Sequence, residues 1–178
     1  MDVSEDAILP GPKTDLYPNS RALFGFFYGQ IKMIISIDPG VKTGFALFDT
    51  KKTLTMKELK IGKAIEIENH VLSKKTEIDL VIVEDARLCK YAGGKNGDAA
   101  RMGVGSVKRD CGRWEEFLIY HGIPYILVDP RRNKFKKINH LQMVNIIGKG
   151  NIEDSIKKSN EHERDAAMMG YTIIKSMI

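Results

Sequence analysis

Three carboxylates and one imidazole stand in separate stretches of this chain, each where a buried element can present it. Asp38 closes the apolar run MIISID, Glu84 closes DLVIVE, and Asp165 follows His162 by three positions in NEHERDAAMMG. Residues three apart on a helix share a face, so His162 and Asp165 can point at one site. Hydrolysis of a phosphodiester needs an activated water and a stabilised leaving oxygen. Two divalent ions held by carboxylates serve both oxygens of an in-line displacement, and hard ions such as Mg²⁺ take carboxylate ligands and keep open water positions. Each residue also has an ordinary structural explanation. Asp38 before Pro39-Gly40 can be a turn residue, Glu84 can pair with Arg87, Asp165 can pair near Arg164, and His162 can be a satisfied, partly buried histidine.

The elements that must position these groups follow from apolar patterning. Residues 33–38 and 79–84 are short, nearly continuous apolar runs, the pattern of buried strands. Residues 44–49 and 53–60 predict two more strands, joined closely enough for an antiparallel meander. Residues 62–75 predict a helix with Ile65, Val71 and Leu72 on its apolar face. A Gly-rich stretch with Gly93, Gly94, Gly97, Gly103 and Gly105 follows. A helix is then expected over 106–120, with Trp114, Phe117, Leu118 and His121 at core spacing, stopped by Gly122. Residues 124–128 predict the last strand, 138–147 a helix, and 160–177 the final helix with Asn160 as N-cap. Its apolar stripe is Ala166, Met169, Ile173 and Met177, with His162 on the stripe and Asp165 at its rim. The order β-β-β-α-β-α-β-α-α predicts an α/β fold, a mixed sheet with helices on its faces. Residues 1–32 carry three of the six prolines and no clear period. They are expected to be an N-terminal extension to a domain spanning 33–178.

A chain of 178 residues is long enough for one domain with a real core. No apolar run approaches the roughly 20 residues of a membrane span, and no signal peptide is read at the start. Cys89 and Cys111 form no CxxC pair, which predicts reduced thiols in a cytoplasmic protein and no structural zinc. The net charge of +5 is weak evidence for a polyanionic partner. Its distribution says more. Arg131, Arg132, Lys134, Lys136 and Lys137 crowd one segment, and Arg87, Lys90, Lys95, Arg101 and Lys108 punctuate another, with Tyr91 among them. Such runs are either solvated faces or contacts to a phosphate backbone.

Taken together and in order, IISIDPGVKTGFALFD, VIVEDAR and HERDAAMMG resemble the RuvC-like Holliday-junction resolvases of the ribonuclease H-like superfamily. The first resembles their opening strand and hairpin, the second their fourth-strand glutamate motif, and the third their C-terminal helix motif. The resemblance runs from about Met33 to the C-terminus. It implies a mixed five-stranded sheet with helices on both faces. It also implies a Mg²⁺ site (Mn²⁺ substituting) made by Asp38, Glu84, His162 and Asp165, and a homodimer that nicks both sides of a four-way junction. Family members use lysines between the last strand and the final helices. Lys134 and Lys137 match best, and would contact the scissile phosphate, whereas Arg87, Lys90, Tyr91, Lys95, Arg101, Lys108, Arg131, Arg132 and Lys136 would bind DNA. Three positions after Glu84, where bacterial members often carry an aromatic residue, this chain has Arg87. That departure, together with a loop after strand five that looks shorter than in the bacterial enzymes, implies a viral or phage-type relative with broader branched-DNA specificity, working in the host cytoplasm. Other readings are a ribonuclease H-like nuclease without junction selectivity, a silent DNA-binding relative, and an actin-like ATPase. The last needs a second lobe for which the chain is too short.

Overall fold

The structure is a computed structural model that describes residues 31–89 and 98–177, with only the backbone described over 98–104. Five strands, β1 (Met33–Asp38), β2 (Thr43–Asp49), β3 (Thr55–Gly62), β4 (Leu80–Glu84) and β5 (Tyr125–Val128), form one sheet in the order β3-β2-β1-β4-β5. The first three make the expected antiparallel meander. β4 lies parallel to β1, and β5 parallel to β4. The helices are α1 (Ala64–Ser73), α2 (Asp98–Tyr120), α3 (His140–Ile147) and α4 (Glu161–Met177).

Strand alternation sorts the core into two clusters. Ile34 of β1, Ala46 and Phe48 of β2, and Leu80 and Ile82 of β4 face α3 and α4. Ile35 and Ile37, Phe45 and Leu47, and Val81 and Val83 face α1 and α2, where they meet Ile67, Val71, Trp114 and Leu118. Helices therefore cover both faces. The same parity puts Asp38 and Glu84 on the α4 side.

Several expectations are corrected at residue level. Ile65 is 52% exposed, and the apolar face of α1 is carried by Ile67 and Val71. Glu68 is buried beside them because Arg113 of α2 reaches it at 2.8 Å. α2 begins at Asp98, eight residues before the expected start. His121 lies beyond its end, half-buried against Phe117. The buried surface of α4 is broader than one stripe, since Ala166 through Gly170, Ile173 and Ile174 are all buried. The second flank is covered by the segment after β5: Phe135 and Ile138 pack on this core, and Arg164 donates to the Ile138 carbonyl at 2.6 Å. Asn160 caps α4 as expected. Its Oδ1 accepts from Glu163 N at 3.0 Å, and Glu163 Oε2 accepts from Asn160 N at 2.8 Å. Ile31 already packs on the core, and the Lys32 and Met33 amides donate to Asp79. Ile31 and Lys32 thus belong to the packed unit together with Met33.

Candidate active site

Asp38 and Glu84 come together because β1 and β4 are parallel neighbours. The ladder runs to Ile37 opposite Val83, and one step further both strands end in their acids. Both carboxylates then emerge at the same end of the sheet, on the same face. α4 crosses that face, and its first turn sets His162 Nδ1 at 3.2 Å from Asp38 Oδ2. Asp165, one turn later, is held from the opposite side. Asn133 is buried and donates through Nδ2 to the Asp165 carbonyl at 3.2 Å, and the Lys137 backbone N–H bonds its carboxyl. The four residues line one open cavity of about 570 Å³, together with the Pro39–Lys42 turn, Val107 and Cys111.

Burial and mutual repulsion set the electrostatics. Desolvation, with the charges of Glu84 and Asp165 beside it, pushes the Asp38 carboxyl up to about 7, against the opposing hydrogen bond from His162. Burial likewise raises Asp165, helped by Glu161 and opposed by Lys136. Lys136 is the cation that relieves this crowding, with Nζ 2.9 Å from Glu84 Oε1. Burial alone would lower its ammonium pKa. The Glu84 hydrogen bond and the charges of Glu84, Asp38 and Asp165 outweigh that and raise it. The Cys111 thiol, against the Glu84 carbonyl at 3.4 Å, is pushed up to about 11 chiefly by burial. It is no nucleophile at neutral pH.

As they stand among the described residues, no three His, Cys, Asp or Glu side chains are arranged to ligate one ion. Lys136 rests on Glu84, and His162 on Asp38. The donor set nonetheless fits a divalent cation. Glu84 Oε2 and Asp165 Oδ1 are buried with no hydrogen-bond partner, and a buried carboxylate oxygen in that condition is costly unless a cation meets it.

The other expected site residues distribute unevenly. Lys134 and Lys137 are exposed, and Lys137, at φ 63°, reaches Asp165 through its backbone rather than its ammonium. The lysine at the acids is Lys136, expected to be a DNA contact only. Arg87 does not pair with Glu84. It is bound to buried Asp85 at 2.8 Å and to Glu115 at 2.6 Å. Arg131 is ion-paired with Asp129, whose carboxyl that guanidinium holds well below its ordinary range. Arg132 is exposed and Lys108 is half-buried on α2. Lys90, Tyr91, Lys95 and the Gly93–Gly97 stretch lie outside the described residues, as does the Arg101 side chain. Sequence reasoning missed Asp85, Asn133 and Gly44. Strand parity flags Asp85, which falls on the face opposite Glu84; no local pattern marks Asn133.

Against known proteins, no family model and no curated sequence matches this chain. Solved structures do. Thermus thermophilus RuvC in complex with a Holliday junction substrate superposes with a TM-score of 0.54 at 16% identity, covering 82% of this chain and 94% of that one. A second Thermus thermophilus RuvC structure gives 0.51 at 16% identity, over 81% and 95%. The yeast mitochondrial Holliday junction resolvase Ydc2 gives 0.52 at 11% identity, over 83% and 80%. The chain therefore has the ribonuclease H-like fold of RuvC-type proteins.

Proposed function

We propose that this chain is a metal-dependent endonuclease that cuts four-way DNA junctions. The observation that carries the reading is the convergence of Asp38, Glu84 and Asp165, with His162, in one open cavity at the ends of parallel strands β1 and β4. The likeness to junction resolvases over more than four-fifths of the chain supports it. Asp38, Glu84, Asp165 and His162 would hold Mg²⁺ or Mn²⁺. When bound, the metal supplies Lewis acidity at the phosphate and a nucleophilic water at neutral pH. The chain's own part is to keep the carboxylates converged, to orient Asp38 through His162 Nδ1, and to set an ammonium, Lys136, where charge builds on the phosphate. Branched DNA would lie along the exposed basic segment 131–137. Two symmetric cuts need two such sites, so the reading includes a homodimer.

The test is a synthetic four-way junction incubated with Mg²⁺ or Mn²⁺. Paired symmetric nicks, absent with chelator and absent in Asp38→Asn, are expected. Cutting of linear duplex at the same rate would replace this reading with a ribonuclease H-like nuclease lacking junction selectivity.

A further inference from the structure

We infer that Gly44 is a positioning residue for the active site: it seats the first turn of α4, and through that turn sets where His162 and Asp165 stand relative to Asp38. The inference rests on the active-site reading above. Gly44 lies directly opposite Asp38 in the antiparallel β1–β2 pair. Residues so paired present their side chains on the same face, about 4.5–5.5 Å apart at Cβ. On that face stands the helix start. A Cβ built on Gly44 would lie 2.1 Å from the His162 carbonyl oxygen, 2.5 Å from its carbonyl carbon and 3.2 Å from Glu163 N. All three are backbone atoms of the first turn, so no side-chain rotation can relieve the contact. Gly44 does not have the positive φ that would itself call for glycine. Close approach is the whole requirement.

The distances give the scale. Real Cβ atoms essentially never come within 3.0 Å, so a methyl at 2.1 Å displaces the turn by roughly 1 Å. The His162–Asp38 hydrogen bond already stands at 3.2 Å, and such a displacement takes it beyond hydrogen-bond reach. Asp165 moves with the same turn. The neighbouring capping box of Asn160 and Glu163 keeps this turn rigid, so the shift is transmitted to His162 instead of being absorbed by fraying.

Gly170 supplies the control. It too is closely packed on the same helix, but two turns on and against side chains, where a Cβ would meet Phe48 and Ser36 at 2.6 and 2.7 Å. Gly44→Ala and Gly170→Ala are compared by ¹⁵N NMR of the His162 imidazole in metal-free protein at one pH, with the resonance assigned through His162→Gln. Gly44→Ala is expected to move the His162 signal toward its position in Asp38→Asn. It should also lower single-turnover junction cleavage about 100-fold at unchanged junction affinity, the scale of an ångström misplacement. Gly170→Ala is expected to lose stability and keep the wild-type His162 signal. If Gly44→Ala is unfolded in buffer, the spectrum is taken in trimethylamine N-oxide, which favours the compact state. A wild-type His162 signal in Gly44→Ala overturns the inference, as does an equal shift in Gly170→Ala. The NMR comparison stands even if no junction is cut, so failure of the nuclease reading is seen separately.

Discussion

Lys136 places its ammonium 2.9 Å from Glu84 Oε1, making it the lysine of the 131–137 segment that reaches the acids. A cation here does two things. It offsets repulsion among Asp38, Glu84 and Asp165, and it provides a charge that a phosphate can take over. Lys136→Met is expected to lower single-turnover junction cleavage by about 100-fold or more, the usual cost of removing a group that meets developing charge. Lys134→Met removes an exposed charge and should weaken DNA binding modestly, more so at low salt. Rates measured side by side decide between them; a larger loss in Lys134→Met would return the catalytic role to that residue.

Asp38 gives a pH prediction. Its folded-state pKa, raised to about 7 from an ordinary 3.8, means the native state binds a proton more tightly than the unfolded chain. The metal-free protein is therefore expected to lose stability as pH rises between those values, and to level off above about 7. One pKa unit corresponds to about 1.4 kcal/mol, so the penalty at pH 8 is on the order of a few kcal/mol. Asp38→Asn cannot ionise. It should unfold at higher temperature than wild type at pH 8 and close to wild type at pH 4, while abolishing cleavage. Equal melting differences at the two pH values would show that Asp38 is not desolvated as the geometry implies. Saturating Mg²⁺ should raise the wild-type melting temperature at pH 8 and have little effect on Asp38→Asn.

The extent to which sequence foretold this site follows from what kind of interaction sets each position. Asp38 and Glu84 were legible because strand ends show in apolar runs, and parity alone assigns a face. His162 and Asp165 were legible from their spacing on one helix. The choice among Lys134, Lys136 and Lys137 was not. It depends on the loop path after β5, where Lys137 takes φ 63° and gives its N–H to Asp165, a tertiary contact without a sequence signature. The partners of Arg87 were hidden for a related reason. A charged residue just after an acidic strand end looks free to pair with that acid until the buried Asp85 that engages it is known. The extra burial of α4 escaped notice because periodicity reports one face, whereas this helix is covered on two.

Arg87 is expected to be structural. Asp85 is 1% exposed, and Arg87 meets it through both Nε and Nη2 while Nη2 also reaches Glu115. Arg87→Ala leaves a buried carboxylate without its main partner, a loss of about 3 kcal/mol. Urea unfolding should show that loss at neutral pH, with junction affinity nearly unchanged in the folded protein. A fall in affinity without a fall in stability would make Arg87 a DNA contact after all.

Gly170→Ala sets two effects of opposite sign against each other. Alanine inside a helix is favoured over glycine by about 1 kcal/mol. The added methyl, however, would lie 2.6 Å from the Phe48 ring and 2.7 Å from Ser36 Cβ. Ser36 lies in central strand β1 and Phe48 in adjacent β2, and both are fully buried, so neither moves freely. Overpacking of this kind costs about 1–3 kcal/mol, and with both contacts this tight the upper part of that range applies. Steric cost outweighs propensity, and the variant should be destabilised by about 1–2 kcal/mol in urea unfolding. Ser36 offers the check on mechanism. Its hydroxyl is buried without a hydrogen-bond partner, so Ser36→Ala should be neutral or stabilising by itself. Ser36→Gly removes one of the two obstructing atoms. In a double-mutant cycle, Ser36→Gly and Gly170→Ala together should be less destabilised than the sum of the single changes. Strict additivity would mean that α4 and β1 separate rather than press on each other at this contact.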